Sequence, residues 1–321
     1  MRYRQLGSTG IKVSEIGFGA WGIGGNNNGA VAYGPVDATE ARQALLSAVD
    51  AGVTLFDTAD FYGFGHSESI IGETLKPHRN RLIFATKCGM LDAAGTQDFS
   101  PAYMHQAIDA SLRRLQTDYI DLYQLHSPPI DVVTRGGEIL ATLESLKQSG
   151  KIRSYGISVR SPEDGLIAVR DLGFRCLQTN FNLIDQRALD SGLLSLCETH
   201  GAGIIARTPL VFGFLTGQYG ATDNFAPDDH RRRWTPEQRA QWASAPKLFE
   251  PLIAGEPQTP SQFALRFCLS FPAVSATIPG MLIREHVSEN AAASDLGPLP
   301  AATREHIVAI YRQNTFFSKK S

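Results

Sequence analysis

Cysteine is scarce in this sequence, and the few cysteines lie far apart. Four occur among 321 residues, and their spacing matches no zinc-binding pattern. Because we also find no cluster of two or three histidines with carboxylates, the sequence predicts no metal site. We interpret the thiols as reduced and mostly buried, as in a cytosolic protein: Cys88, Cys176, Cys197 and Cys268.

Long apolar runs and a strong excess of charge are also missing. No run approaches the roughly 18–20 residues that a membrane helix needs, and the N-terminus lacks the apolar segment of a signal peptide. A net charge of −2 gives no reason to expect binding to nucleic acid or to anionic membranes. We expect a cytoplasmic protein. Because we find no repeat or linker, we expect a single domain over residues 1–321.

The sequence does contain a regular alternation of apolar strands and amphipathic helices. The strands are continuous apolar runs, as in a parallel sheet buried on both faces. Eight such units in roughly 250–300 residues favour a closed (β/α)8 TIM barrel. Residues 2–14 predict an N-terminal β-hairpin, and residues 284–292 and 302–313 predict extra C-terminal helices. The predicted barrel strands are Glu15–Gly19, Thr54–Thr58, Leu82–Lys87, Tyr119–His126, Ile152–Ser158, Phe174–Asn180, Gly203–Arg207 and Val274–Pro279.

The helices and loops between these strands carry their own signals. Ser or Thr followed by Pro at residues 100, 161 and 259 predicts helix starts, as does the capping box from Asp37 to Glu40. Gly213–Trp242 is polar and is interpreted as an excursion over the barrel rim, with Arg231–Arg233 as a solvated face. Substrate choice is expected to depend on four rim loops, at residues 22–35, 91–99, 127–135 and 220–242.

A glycine motif near the N-terminus offers an alternative to the barrel. Residues 17–22 match G-x-G-x-x-G after a predicted strand, with Asp37 near the expected acidic position. In a dinucleotide fingerprint, however, the last glycine opens a helix whose N-terminus holds phosphate. Here the next helix begins only at Asp37, so we interpret the motif as a barrel strand entering a glycine-rich loop.

Polar side chains end successive predicted strands. Asp57, Lys87 and His126 end the second, third and fourth strands, and Tyr62 follows Asp57 by five residues. Because function in a (β/α)8 barrel sits at the C-terminal ends of the strands, we expect these four side chains to meet. A single histidine or lysine at such a position is most often structural. Their joint occurrence on successive strands predicts a catalytic site.

These four side chains suit proton transfer to a carbonyl oxygen. A tyrosine has an ordinary pKa near ~10 and is a poor acid at neutral pH. A lysine ammonium beside it would stabilise the phenolate and lower the pKa, while Asp57 would hold Lys87 charged. His126 could donate a hydrogen bond to the substrate oxygen. This is the acid half of carbonyl reduction, and the other half is a hydride from a nicotinamide.

Several further segments match one known family. They are Gly17–Trp21, Phe56–Gly63, Ser67–Gly72, Ala85–Lys87, Ser111–His126, Gly150–Ser158, Leu177–Asn182, Gly213–Gly217 and Ile278–Asn290. With them the chain resembles the aldo-keto reductases over nearly its whole length. The resemblance implies a (β/α)8 barrel, NADP(H) or NAD(H), and interconversion of a carbonyl and an alcohol. It places the catalytic tetrad on Asp57, Tyr62, Lys87 and His126.

The resemblance also implies a set of binding residues. Trp21, Tyr62 and His126 would line the substrate pocket, and Trp21 and Asp57 would also border the cofactor. The carboxamide would be held by Ser158 and Gln178, the pyrophosphate by the loop containing Pro209, Leu210, Gly213, Leu215 and Gly217, and the adenosine by Gly280, His286, Glu289 and Asn290. Arg207 is also assigned to the cofactor site.

The chain departs from the family pattern at two of these positions. Family members often have asparagine after the serine, whereas Val159 follows Ser158, which leaves one carboxamide contact unexplained. An aromatic residue commonly stacks on the nicotinamide, whereas this chain has Arg207. A guanidinium can stack on a ring, but its charge would oppose the oxidised nicotinamide.

The adenosine end predicts NADP(H) as the preferred cofactor, with NAD(H) as the alternative. Gly280 leaves room for backbone approach, the following helix N-terminus favours an anion, and Arg284 lies in the first turn of that helix. An acidic residue on the free 2′-hydroxyl would argue for NADH. Glu289 fits the adenine position instead, and Glu285 is interpreted as facing solvent.

Three functions are compatible with these expectations. The first is an NADP(H)-dependent reductase of small aldehydes or ketones. The second is an NAD-dependent sugar or alcohol dehydrogenase of the same family. The third is a nicotinamide-binding regulatory subunit that senses redox state with little turnover. The complete tetrad favours an enzyme.

Overall fold

The chain begins with a two-stranded hairpin that covers one end of a barrel. The computed structural model describes residues 1–26, 29–135 and 137–318. Strands β1 (Tyr3–Gln5) and β2 (Lys12–Ser14) pair antiparallel, as predicted. Leu6, Ile11 and Val13 are buried in one apolar cluster with residues of the barrel strands. The hairpin therefore closes the barrel with its own apolar side chains.

Eight parallel strands form the barrel, and each one pairs with the next along the chain. Backbone bonds then join the last strand to the first. Gly17 N donates to Thr277 O at 2.8 Å, and Thr277 N donates to Glu15 O at 2.9 Å. This closure confirms the predicted (β/α)8 fold. The strands are β3 (Phe18–Gly19), β4 (Leu55–Asp57), β5 (Ile83–Cys88), β6 (Ile120–His126), β7 (Ile152–Ser158), β8 (Cys176–Asn180), β9 (Gly203–Arg207) and β10 (Val274–Thr277).

The first barrel strand is shorter than the predicted segment. Only Phe18 and Gly19 pair with β4. At the start of β4, the backbone N–H groups donate to a side chain and not to the backbone of the first barrel strand. Ser14 Oγ accepts hydrogen bonds from Thr54 N at 2.9 Å and from Leu55 N at 3.3 Å.

Helices cover the outside of the barrel, and many begin at the predicted capping residues. Ser100, Ser161 and Thr259 each accept a hydrogen bond from the backbone N–H three residues on, directly before a helix that starts with proline. Asp37 accepts from the backbone N–H groups of Thr39 and Glu40, two and three residues on. The last two helices confirm the predicted C-terminal extension. No helix in the described part of the chain is long and apolar enough to cross a membrane.

The α-helices are α1 (Ala38–Asp50), α2 (His66–Leu75), α3 (Pro101–Arg114), α4 (Ile130–Arg135), α5 (Gly137–Gln148), α6 (Pro162–Arg170), α7 (Arg187–Asp190), α8 (Leu193–His200), α9 (Pro236–Ser244), α10 (Glu250–Ile253), α11 (Pro260–Leu269), α12 (Arg284–Leu296) and α13 (Ala301–Gln313). Short 3-10 helices lie at Gly22–Gly24, Lys76–Arg81, Val211–Thr216, His230–Arg233 and Ala245–Leu248.

The excursion between β9 and β10 is less exposed to solvent than its polar sequence predicts. Its aromatic side chains pack together, with the Phe212 and Trp234 rings 4.3 Å apart and the Trp234 and Trp242 rings 5.1 Å apart. Arg231, predicted to be solvated, is half-buried instead. It forms an ion pair with Asp229 at 2.6 Å and lies over three aromatic rings. Aromatic packing explains this difference, because it shields the arginine stem from water.

Candidate active site

The barrel strands bring the predicted tetrad residues to one rim. Asp57 ends β4, Lys87 is the next-to-last residue of β5, and His126 ends β6. These strands are parallel neighbours, so their C-terminal ends lie on the same side of the barrel. Tyr62 lies on the loop between β4 and α2. All four side chains meet within this region, as the contacts below show.

Lys87 is the centre of these contacts. Its side chain is 0% exposed, and Nζ donates to Asp57 Oδ1 at 2.5 Å, to Thr58 O at 2.8 Å and to the Tyr62 hydroxyl at 3.1 Å. Burial alone would lower the pKa of Lys87, but attraction to Asp57 and Tyr62 outweighs burial and raises it. Lys87 is therefore a cation at neutral pH, held directly beside the Tyr62 hydroxyl.

Two glutamines hold the second oxygen of Asp57. Gln178 Nε2 donates to Asp57 Oδ2 at 2.8 Å, and Gln124 Nε2 donates to the same oxygen at 3.1 Å. Gln178 was predicted to bind a carboxamide, and here one of its donors is used by Asp57. Gln124 was not predicted. The only signal for it was a polar residue inside the apolar run of β6.

His126 completes the group beside Tyr62. The two rings lie edge to face with their centroids 5.8 Å apart. Burial, followed by the positive charges of Lys87 and Arg207, lowers the pKa of His126 well below its usual range. The imidazole is therefore neutral at pH 7 and can donate a hydrogen bond from one nitrogen only. Its Nδ1 is buried and has no hydrogen-bond partner among the described residues.

Arg207 lies at the end of β9, on the floor of the same region. Its Nη2 donates to Val159 O at 3.1 Å, while its Nε is buried without a hydrogen-bond partner in the described chain. Burial lowers the pKa of the guanidinium, but arginine remains charged in proteins. The site therefore contains a second cation besides Lys87.

A cleft of about 620 Å³ opens above this region, and its floor is formed by Asp57, Tyr62, His126, Gln178 and Arg207. This volume lies within the range of ligand sites. Rim loops and the start of α12 contribute its walls. Of the predicted site residues, the lining includes Trp21, Asp57, Tyr62, His126, Gln178, Arg207, Pro209, Leu210, Gly213, Gly280, His286, Glu289 and Asn290.

Five predicted residues lie outside this lining. Lys87 is enclosed behind Asp57 and Tyr62. Ser158 is 2% exposed and bonds Ser127 Oγ at 3.1 Å. Leu215 is buried in the core, and Gly217 ends the 3-10 helix Val211–Thr216. Arg284 is exposed at the first residue of α12.

The sequence did not identify several residues at the open end of the cleft. Val31, Tyr33, Phe61, Met90 and His230 line it, and all of them lie on rim loops or next to strand ends. Three of the four loops expected to determine the substrate contribute to the lining. The exception is the loop at 127–135, which contributes no lining residue.

The cleft also has features that fit a bound nicotinamide dinucleotide. At one end, the buried atoms Arg207 Nε and His126 Nδ1 have no hydrogen-bond partner among the residues that the structure describes. At the other end, a methyl group added to Gly280 would meet no atom within 4 Å, so a ligand can approach its backbone closely. Among the described residues, no group of three or more His, Cys, Asp or Glu side chains could hold a metal ion.

Both the sequence and the fold are similar to those of known oxidoreductases. The sequence model of the aldo/keto reductase family matches residues 15–312. A solved aldo-keto reductase from Bacillus halodurans, in its holo form, has a TM-score of 0.80 at 30% identity and covers 98% of both chains. The NADH-specific methylglyoxal reductase of Escherichia coli is 32% identical over 316 residues, 92% of this chain and 94% of that protein. A probable voltage-gated potassium channel subunit beta of Oryza sativa is 29% identical over 315 residues, 93% of each chain.

A carboxyl group behind the site is buried with an incomplete set of hydrogen bonds. Asp60 Oδ2 accepts from the Tyr103 hydroxyl at 3.2 Å, whereas Oδ1 is buried with no hydrogen-bond partner in the described residues. Burial, and then the charge of Glu68, raises the pKa of Asp60 to about 7. The backbone N–H of Asp60 donates to Lys87 O at 3.2 Å, which ties this carboxyl group to the tetrad.

We predict that Asp60→Asn removes a contribution to folding stability that falls as the pH rises. The folded protein retains the Asp60 proton up to a pH of about 7, whereas the unfolded chain releases it near ~4. The folded state therefore binds the Asp60 proton more tightly over this interval, and the contribution of Asp60 to stability falls as the pH rises from about 4 to 7. Thermal unfolding across this range, with exposed Asp50→Asn as the control, measures the effect. The same pH dependence in wild type and Asp60→Asn would contradict the prediction.

Proposed function

This chain belongs to the aldo/keto reductase family, and we propose that it interconverts an aldehyde or ketone and an alcohol with Tyr62 as general acid and base. The observation that carries the proposal is the contact of 3.1 Å between Lys87 Nζ and the Tyr62 hydroxyl. A fixed ammonium at this distance stabilises a phenolate, which is the form of Tyr62 after it has given up its proton. Asp57 holds the ammonium in this position by accepting a hydrogen bond from Lys87 Nζ at 2.5 Å.

In carbonyl reduction, Tyr62 donates its proton to the substrate oxygen, and in alcohol oxidation it accepts the proton back. Lys87 stabilises the phenolate, and Asp57 balances the charge of Lys87. Neutral His126 donates a hydrogen bond to the same substrate oxygen, which orients the carbonyl. A bound nicotinamide supplies the hydride. The residues proposed to hold it are Trp21, Asp57, Ser158, Gln178, Arg207, Pro209, Leu210, Gly213, Leu215, Gly217, Gly280, Arg284, His286, Glu289 and Asn290.

A second candidate is a redox-sensing regulatory subunit that binds nicotinamide with little turnover. The similarity to a probable potassium channel subunit beta favours it. The complete contact from Asp57 through Lys87 to Tyr62 favours an enzyme instead. Steady-state turnover with a panel of aldehydes, ketones, sugars and alcohols separates the candidates, because tight cofactor binding without turnover would support the sensor. The same panel tests whether the protein is an NAD-dependent sugar or alcohol dehydrogenase.

We predict that Tyr62→Phe lowers kcat by about 10²-fold or more, the range for a positioned general acid. The phenylalanine keeps the ring and removes only the acidic hydroxyl. Cofactor dissociation constants should therefore stay near those of the wild type. Stopped-flow or steady-state kinetics with one good substrate measures the loss. Full turnover by Tyr62→Phe would exclude Tyr62 as the acid.

We predict that Lys87→Met also abolishes most turnover, although Lys87 does not line the cleft. The methionine has similar length but carries no charge, so the Tyr62 phenolate would lose its stabilising cation. Activity lost in Lys87→Met should recover in part as the pH is raised, because the uncharged variant needs a higher pH to form the phenolate for alcohol oxidation. A pH profile of alcohol oxidation that matches the wild type in shape would contradict this role.

We propose NADP(H) as the preferred cofactor, with Arg284 as the group that contacts the 2′-phosphate. Support comes from its position in the first turn of α12, where the helix N-terminus also favours an anion. Two observations weigh against the preference: Leu282 and Glu289 line the cleft near this turn, and the similar methylglyoxal reductase is NADH-specific. The preference therefore depends on whether the exposed Arg284 side chain reaches the ribose.

Arg284→Ala tests this dependence directly. A charge-assisted contact to phosphate contributes about 1.5–3 kcal/mol, so we predict that NADPH binding weakens about ten- to hundredfold. NADH lacks the phosphate and serves as the internal control, with little change expected. Equal wild-type dissociation constants for NADPH and NADH would overturn the preference. Equal losses for both cofactors in Arg284→Ala would assign Arg284 to the helix or to the pyrophosphate.

A further inference from the structure

Arg207 is a half-buried cation without a counter-ion among the described residues. No carboxylate in the described part of the chain lies within ion-pair distance of it. The nearby acids are already paired: Asp185 with Arg187 at 2.7 Å, and Asp57 with Lys87 at 2.5 Å. Among the described residues, the guanidinium donates one hydrogen bond, to the neutral acceptor Val159 O. An unpaired charge that is partly removed from water is costly, and its position in a cleft makes Arg207 a candidate for acting on a ligand.

The charges on the cleft floor therefore do not cancel. Asp57 and Lys87 neutralise one another, and His126 is uncharged because its pKa lies well below the usual range. Arg207 remains, which leaves the floor with one net positive charge. Because Arg207 is half-buried and its Nε is fully buried, solvent screens this charge less than it would a surface charge.

The charge of a nicotinamide ring depends on its redox state. The oxidised ring is a cation and the reduced ring is neutral. To act on a carbonyl whose oxygen meets Tyr62, the ring must enter the part of the cleft that Tyr62, His126 and Arg207 line together. Arg207 is close enough for its charge to interact with Tyr62 and His126. An oxidised ring would meet this cation, whereas a reduced ring could lie against the planar guanidinium.

We propose that Arg207 makes the site selective for the reduced cofactor, so that NAD(P)H binds about tenfold or more tightly than NAD(P)⁺. The inference rests on the proposed function, because it requires a nicotinamide in this cleft. A tenfold preference raises the midpoint potential of the bound couple by about 30 mV. It also makes the oxidised cofactor the weaker ligand, so that it leaves readily after carbonyl reduction. After each carbonyl reduction, the reduced cofactor can then readily replace the oxidised one.

Isothermal titration calorimetry with the oxidised and reduced forms of one dinucleotide tests the proposal without any turnover. The quantity of interest is the ratio of the two dissociation constants, oxidised over reduced. In Arg207→Met, which removes the charge and keeps much of the length, NAD(P)⁺ should bind more tightly and the ratio should fall towards one. In Arg207→Lys, which keeps the charge, the ratio should stay within a few-fold of the wild type. Exposed Arg232→Met is the control for general surface charge and should leave the ratio unchanged.

The outcomes separate the proposal from the proposed function. A wild-type ratio near one overturns the role of Arg207, whatever the variants do. An unchanged ratio in a folded Arg207→Met protein overturns it as well. Loss of the ratio in Arg207→Lys as well as in Arg207→Met would assign the effect to the planar guanidinium instead of its charge, which also contradicts the proposal. Failure of the wild type to bind either form would overturn the proposed function.

Discussion

The burial of the Lys87 ammonium is the constraint on which the rim of this barrel depends. An unpaired charge in a protein interior costs several kcal/mol, so the surrounding chain must supply partners for it. Asp57 and the carbonyl of Thr58 supply two, and the Tyr62 hydroxyl supplies the third. Because these groups lie on β4 and on the loop that follows it, the position of Lys87 on β5 determines how that loop leaves the strand.

Hydrogen bonds to the other oxygen of Asp57 extend the same constraint across the barrel. Asp57 Oδ2 accepts from Gln124 on β6 and from Gln178 on β8. Both glutamines are buried, and each would lose a partner if Asp57 moved. The network therefore couples four strands of a closed sheet around one carboxylate. This rigidity suits the proposed role of Tyr62, because a general acid contributes only when it is held within hydrogen-bond reach of the reacting oxygen.

The strands and their ends could be predicted because a closed parallel barrel requires a simple sequence pattern. Buried parallel strands are apolar runs, and a polar residue that ends such a run lies at the rim, as Asp57 and His126 do. Gln124 escaped prediction because it lies inside the run of β6, and its partner is distant in sequence. Ser158 ends a strand as expected, but it bonds Ser127 outside the cleft lining. Strand position alone does not determine which neighbour a side chain meets.

The rim loops could not be predicted because their contacts join segments that are far apart in the chain. The backbone of Ala32 pairs with that of Asp229, and Arg231 lies over the ring of Tyr33. Neither segment has a periodic sequence pattern from which its contact with the other could be predicted. Arg231, which was interpreted as solvated from the sequence, thus lines the cleft together with Tyr33. We expect the substrate range to depend on these pairings.

The glycine motif at residues 17–22 shows how local sequence can suggest the wrong partner. A methyl group on Gly19 would lie 2.7 Å from Ile278 O, and one on Gly24, just beyond the motif, would lie 2.9 Å from the carbonyl carbon of Tyr62. The space beside these glycines is therefore filled by the chain's own backbone and not by a phosphate. Gly19 allows the first strand to close against the last, and Gly24 allows the Tyr62 loop to approach. The motif itself thus serves barrel closure, whereas Gly24 helps to set the position of Tyr62, which is a structural use of glycine beside the proposed site.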